Sequence, residues 1–503
     1  MIMVFSLNRA KTQNIFMNDF FDTCVQIGVA CIDYGYTAVL LGVFLLAGAA
    51  LAKLPMVRST FLPASLVAGM LLLLFGPQVA GIHFPDWQLP DSYYAQWRQL
   101  PKELINVVFA CLFLARPILP FRHMWRSAGP QVAFGQTLAW GQYAIGGLLA
   151  LLVLVPLFGA NPLTAALIEV SFEGGHGTVS GMSPIFGKLG FQEGRDLAMG
   201  LATVSLITAL ISGMLLVHWG RLRHHIKTVH HQAAYQRAYH RRILHDLRKQ
   251  GVRLREHITP SRLANHIVLL AVAIGIGWLL WQGLLLIETL TWGAHSGVFF
   301  LHYVPMFPLC MFGGMIAHVI WRRLGIGTSR ALVELMSSLA LSVLIATAVG
   351  TMSLEYISQH PAVFGLLAFS GIAWILFGFM VFARRMFREH WFQNGIVNMG
   401  QSMGMTATGL LLLHIVDPED KTSSMESFGY KQLMFEPFVG GGVITALSMP
   451  LILAVGLPFF TLLAITVCAG WMTLGLRYFG KMRVSDTPPD RQRSQAAIAR
   501  SES

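Results

Sequence analysis

Charge is scarce in this chain. Only 12% of its 503 residues are Asp, Glu, Lys or Arg, while 54% are hydrophobic; a soluble domain averages about 25% charged. That deficit, with a mean hydropathy of +0.58, excludes an ordinary water-soluble protein. Cysteine is also sparse. Cys24, Cys31, Cys111, Cys310 and Cys468 are scattered through apolar segments without Cys-x-x-Cys spacing, so they read as small buried hydrophobes rather than a disulfide framework or metal cluster. The first 15 residues lack a long apolar core and a small-residue cleavage site, so no cleaved signal peptide is expected. No nucleophile, metal-ligand set or nucleotide loop accompanies the polar residues, which argues against an enzyme, and no motif supports a nucleic-acid partner. Strand-like alternation is missing too. The apolar runs are continuous and about 20 residues long, as a helix crossing a roughly 30 Å hydrocarbon core requires. The expected fold is therefore an all-α integral membrane protein.

What is present divides the chain. A lead-in helix is expected at 1–34. Apolar spans follow near 35–52, 62–82, 102–115, 131–158 and 195–218, closing a first repeat at 35–218. A linker at 219–262 carries 11 Lys/Arg against two acids. A second repeat, 263–453, holds spans near 263–290, 298–320, 332–353, 361–383 and 434–453. An eleventh helix (454–478) and a tail (479–503) complete the chain. Lys and Arg accumulate in cytoplasmic loops, which places the linker inside and the N-terminus outside. Threading from that anchor puts Lys53, Arg116, Arg322, Arg384, Lys421, Lys431 and the C-terminal tail inside, leaving six of the 36 basic residues outside. The linker histidines (His224, His225, His230, His231, His240, His245 and His257) lack sustained metal-ligand spacing. Its basic residues instead suit anionic lipid headgroups, at about 1 kcal/mol each.

Two stretches, 161–190 and 391–414, are apolar but interrupted by Gly, Ser, Thr, Asn and Gln. They read as re-entrant hairpins, because irregular backbone at membrane depth is tolerated only where protein shields it or it lines a cavity. Each half has five spans with one hairpin between the fourth and fifth. An odd span number inverts the second copy, so the hairpins enter from opposite sides, an arrangement suited to alternating access.

The first hairpin contains Ser171-Phe-Glu173-Gly174-Gly175-His176-Gly177-Thr178. Its glycines let backbone turn sharply and bare its amides and carbonyls; amides at half-helix N-termini attract an anion. Ser171, Thr178, Ser180 and Thr203 offer hard oxygens to a small cation. An ionisable residue at membrane depth costs at least about 2.5–3.5 kcal/mol, which makes Glu173 a functional suspect for ion coupling. His176 reads either as a substrate contact or as a ring that pins the hairpin to local backbone. Asn398, Gln401, Ser402, Gly404, Thr406 and Thr408 supply uncharged donors and acceptors from the second hairpin, or else bind helices together. Glu334 and Glu436 are expected near cytoplasmic span ends and Glu288 near an outer one, solvated or paired at the interface.

Gly174-Gly175-His176-Gly177-Thr178 and the span starting Asp196-Leu-Ala-Met-Gly-Leu-Ala-Thr203 resemble the sodium/glutamate symporter family. That likeness covers the 35–453 architecture. In the second hairpin, where that family tends toward Gly-Ala-Thr-Pro-Thr, this chain reads Gly404-Met-Thr406-Ala-Thr408-Gly409, and Glu173 replaces a small polar residue. The resemblance implies a secondary transporter of the bacterial inner membrane that works as a homodimer with an elevator-like movement. Glutamate or a related amino acid or carboxylate is the implied substrate. Na⁺ is the implied coupling ion, with Ser171, Thr178 and Thr406 as candidate donors, and no other cofactor is needed. A channel or an H⁺-coupled organic-anion carrier of the same fold remains the alternative.

Overall fold

The computed structural model describes residues 34–58, 62–84, 89–114, 121–226, 259–294, 299, 301–418 and 421–481. The lead-in helix expected at 1–34 lies outside them but for its last residue, as do most of the linker 219–262 and the tail beyond 481. Among the described residues every regular element is helical, and seven helices are long and apolar enough to cross a membrane. Their outward side chains (Val39, Val43 and Leu46; Leu279, Leu286 and Leu290; Leu462) are apolar and exposed, as a lipid-facing surface requires.

The first helices are α1 (Tyr34–Leu51), α2 (Ala64–Leu74), α3 (Leu100–Phe113) and α4 (Phe121–Leu149), the last continuing through a π turn to Phe158. The short α5 (Leu167–Phe172) and α6 (Gly175–Gly181) precede α7 (Gln192–Leu222). After the linker come α8 (Pro260–Glu288), α9 (Phe307–Arg323), α10 (Arg330–Gly350), α11 (Pro361–Phe377), α12 (Trp391–Met403) and α13 (Thr406–Val416). The chain ends with α14 (Ser424–Phe435), α15 (Val443–Val455) and α16 (Leu457–Thr473).

Several expected spans differ: the helix expected from 131 starts at Phe121, and that expected from 298 starts at Phe307. The run at 62–82 breaks after Leu74 and resumes only as a short turn at Ala80–His83, because Gly76-Pro77 cannot continue it and Tyr94 donates to the freed Leu72 carbonyl (2.6 Å). The span expected at 434–453 begins ten residues earlier, at Ser424, and is broken between Phe435 and Val443. Pro437 and the consecutive Gly440-Gly441-Gly442 cause the break; Gly440 (φ +73°) and Gly441 (φ +103°) adopt backbone that other residues avoid.

Small residues set the packing, as in membranes generally. One group of helices runs α1–α2–α10–α3–α9–α8. Gly48 seats against Ala64 and Ala68, Gly69 against Ala346 and Val349, Gly314 against Ala110, and Gly277 against Cys310. In the other group α4 is flanked by α11, α14 and α16, while α7 is flanked by α5, α11, α12 and α13. The groups meet where α6 packs on α3 and α10. At one end of α7, buried Asp196 accepts from Arg98 Nη2 (3.3 Å) and from the Ser353 amide (3.1 Å). Cys111, Cys310 and Cys468 are buried and unbridged, in keeping with the reading of small hydrophobes.

α7 serves as a ruler for the two interrupted segments. Its Leu206 touches Gly404, Gly213 touches Leu412, and Gly220 touches Phe392. So α12 climbs from the C-terminal end of α7 to its middle, and α13 descends again. Gly400 against Gly409 lets these two backbones nearly touch. The segment before α7 leaves the end of α4, passes Gly146 at Ala165, and reaches Thr203 of α7 through His176. It then returns to Phe191, beside the N-terminus of α7. The two segments thus fold back from opposite ends of α7, and their breaks meet beside its middle. A Cβ on Gly175 (φ +67°) would lie 3.3 Å from the Gly404 carbonyl oxygen.

Candidate functional site

Three breaks converge at that level: 173–174 between α5 and α6, 404–405 between α12 and α13, and 436–442 between α14 and α15. Polar side chains there cluster around two carboxylates one helical turn apart.

Glu169 is fully buried and fully engaged. It accepts from the Tyr143 hydroxyl of α4, from the Gly440 amide (3.1 Å) and from the Thr445 hydroxyl (2.8 Å) of α15. Only the left-handed backbone of the glycine triplet aims an amide at this carboxylate. Hydrogen bonds to charged groups contribute about 1.5–3 kcal/mol each. Tyr143→Phe is accordingly expected to lower the thermal unfolding midpoint of the detergent-purified protein by the equivalent of one such bond, while leaving the helix content seen by circular dichroism unchanged.

Glu173 is different. It is 5% exposed, and neither carboxylate oxygen has a well-formed hydrogen bond, the Ser402 hydroxyl standing beside it without good geometry. Lys431 and Glu436 are its charged neighbours. The Ser402 hydroxyl is likewise buried and unpartnered, as are those of Ser171 and Thr178 and the amide oxygens of Gln142, Asn398 and Gln432. Buried polar atoms are nearly always paired, so a cluster of unpaired oxygens within one interior demands a function. Gln142 holds the backbone at this point, donating to the Ser402 carbonyl (3.2 Å).

Lys431 corrects an expectation. It is not a cytoplasmic loop residue but a completely buried one on α14. Its ammonium donates to Gln401 Oε1 and stands 3.6 Å from the centroid of the Phe435 ring. Gly135 of α4 makes room for it, since a Cβ there would lie 2.6 Å from the lysine Cε. Glu436 is part of the same assembly rather than of a solvated span end. It accepts from Gln432 Nε2 (2.6 Å) and from Thr406 Oγ1 (3.2 Å). Glu288 is fully buried at its helix end, paired with His302 Nδ1 (2.7 Å), whereas Glu334 is exposed and paired with Arg330 (2.7 Å).

The other residues singled out in the sequence fall into place as follows. Gly174, Gly175 and Gly177 form the first break and the start of α6, where Gly175 alone has positive φ. His176 Nε2 lies 3.0 Å from Thr203 Oγ1, whose own proton goes to the Met199 carbonyl (3.0 Å). This contact ties the folded-back segment to α7. Ser180 donates to the His176 carbonyl (2.7 Å). Thr178 faces Gly441, where a Cβ would lie 2.5 Å from its hydroxyl. Asn398 sits six residues below the Gly404 tip, about 9 Å along the helix, donating to Gln131 Oε1 (3.2 Å) and the Asn394 carbonyl (2.8 Å). Thr408 is buried beside Gly404. Of the three candidate Na⁺ donors, Thr406 is engaged with Glu436 and Gln432, while Ser171 and Thr178 have hydroxyls without partners.

Sequence reasoning missed Tyr143, Gln142, Lys431, Gln432, Thr445 and the glycine triplet. A signal existed: Glu436-Pro-Phe-Val-Gly-Gly-Gly442, like the first break, combines one glutamate with three glycines, and Lys431 lies five residues before it.

A profile of the sodium/glutamate symporter family matches residues 31–416. The chain belongs to that family. It is a multi-pass membrane transporter and not an enzyme. A comparison with curated individual proteins returned no match. The family match takes in both folded-back segments of this symporter and stops before α14. Glu169, Glu173 and Ser402 thus lie within the shared part, whereas Lys431, Glu436 and the glycine triplet lie past it.

Proposed function

We propose that this symporter moves glutamate, or a related small amino acid or carboxylate, together with Na⁺ by alternating access, holding both where the three breaks meet. The observation that carries this reading is the cluster of buried, unpartnered oxygens on Glu173, Ser402, Ser171 and Thr178 around opposed backbone breaks. Hard oxygens suit a dehydrated cation. The free amides at the start of α13 suit a substrate carboxylate.

On this reading the segments at 161–190 and 391–414 are re-entrant hairpins from opposite membrane faces. The contact order supports an inverted repeat, since α1–α2–α10 is matched by α8–α9–α3. The group holding α4, α7 and both hairpins would move against the other, in a homodimer of the inner membrane. The distribution of Lys and Arg supports an outer N-terminus and a cytoplasmic C-terminus. Thr406 serves Glu436 rather than the cation directly, so Na⁺ is assigned to Glu173 and the free hydroxyls.

Counterflow in proteoliposomes tests the reading. Liposomes loaded with unlabelled glutamate, other amino acids or di- and tricarboxylates are diluted into labelled substrate with and without a Na⁺ gradient. Saturable exchange that requires Na⁺ is expected. Current independent of any ion gradient, without exchange, would make the protein a channel.

A further inference from the structure

Glu173 and Glu436 both lie in the field of one ammonium, and that ammonium belongs to the protein. The arrangement is unusual in its arithmetic. Around the three breaks stand the carboxylates of Glu169, Glu173 and Glu436 and, among the described residues, one lysine, Lys431, the imidazole of His176 being engaged with Thr203. Of the elements packed on that lysine, α4 offers Gly135, α12 offers Gln401, and α14 itself offers Phe428, Phe435, Gln432 and Glu436. None of these adds another positive charge. Glu169 is compensated by three donors and Glu436 by two, which leaves Glu173 without a well-formed hydrogen bond.

We propose that Lys431 is a tethered cation of the coupling site, taking the place of one transported Na⁺ and so setting the number of cations bound per cycle. This rests on the carrier reading above. The ammonium is a hard monovalent cation, as Na⁺ is. It is held on an amide oxygen and an aromatic face, two groups that replace water around a cation without neutralising it. Its charge therefore remains available to Glu173. A substrate anchor would present its ammonium to the substrate's carboxylate; this one is spent on the Gln401 side-chain oxygen and the Phe435 ring. Gly135 explains how so long a side chain reaches the centre without displacing α4.

The test is a Na⁺ titration of the full-length protein in detergent, read by thermal unfolding at constant ionic strength with choline, beside Na⁺ activation of uptake in proteoliposomes. A ligand that binds only the folded state raises stability with its logarithmic concentration, in proportion to the number bound. Lys431→Gln is expected to steepen that dependence by about one Na⁺ and to raise the Hill coefficient of uptake by up to one. The double variant Glu173→Gln, Lys431→Gln, which restores the charge balance, is expected to return to the wild-type slope. An unchanged slope in Lys431→Gln, with unfolding lowered equally at every Na⁺ concentration, would reduce Lys431 to a structural role and overturn the proposal. So would a change in substrate KM alone, or a lack of Na⁺ response in every variant. If Lys431→Gln cannot be purified, Lys431→Met, which keeps the apolar length of the side chain and removes its charge, decides instead: its slope is expected to rise by about one Na⁺, and an unchanged slope overturns the proposal. Wild-type protein that binds Na⁺ but shows no counterflow sinks the carrier reading instead, while the titration still judges the lysine.

Discussion

Glu173→Gln is expected to reduce Na⁺-driven uptake by roughly 30-fold or more while leaving the protein folded. The side chain is buried, carries two oxygens without well-formed hydrogen bonds, and lies beside Ser402 at the meeting of the hairpin tips. Removing one partner of a buried charge interaction costs about 2–5 kcal/mol, and each 1.4 kcal/mol is a factor of about ten. Glutamine keeps the volume and removes the charge, so the loss reports on cation coupling rather than on packing. The neighbouring Glu169→Gln serves as contrast. That carboxylate is saturated by Tyr143, Gly440 and Thr445, so its loss should appear first as a lower unfolding temperature. Initial rates of labelled uptake across a Na⁺ gradient, alongside thermal unfolding, separate the two. Glu173→Gln with wild-type rates and wild-type Na⁺ dependence would remove Glu173 from the coupling site.

The second large effect is steric. Gly441→Ala is expected to destabilise the protein by about 2–6 kcal/mol and to abolish uptake. At φ +103° an alanine is strained whatever the space around it, at about 1–3 kcal/mol. Here there is no space either: the new Cβ would lie 2.5 Å from Thr178 Oγ1 and 2.7 Å from Phe109 Cζ. Overpacking a close-packed interior adds typically about 1–3 kcal/mol. Gly470→Ala on α16 is the control, since a Cβ there meets nothing within 4 Å and the backbone is helical. That substitution should be neutral or slightly stabilising, by up to about 1 kcal/mol. Equal unfolding temperatures for both variants would show that the glycine triplet is not a required break.

The long apolar runs were legible because length and hydropathy decide them, and the breaks in the two polar-interrupted segments because Gly, Ser and Thr interrupt those runs. Na⁺ and glutamate came from the likeness at 174–178 rather than from spacing. What escaped was tertiary. The third break was hidden inside a stretch whose apolar residues, from Met434 to Leu453, imitate a single span. Lys431 was read by the rule that basic residues gather in cytoplasmic loops. That rule describes averages over loops and fails for a lysine whose oxygen partner, Gln401, and whose space, Gly135, come from remote parts of the chain. The protein partners of Asn398 and His176 were equally hidden: Asn398 donates to Gln131 and to the Asn394 carbonyl, and the His176 ring meets Thr203, contacts that no local pattern could reveal.

The bond from the Gly440 amide to Glu169 closes a loop of 271 residues. At a synthesis rate of about 5–20 residues per second, Glu169 leaves the ribosome roughly 15–50 s before two of its three donors exist. Two of the three donors to Glu169 come from Gly440 and Thr445, so the shell around this carboxylate is complete only once α15 has been made.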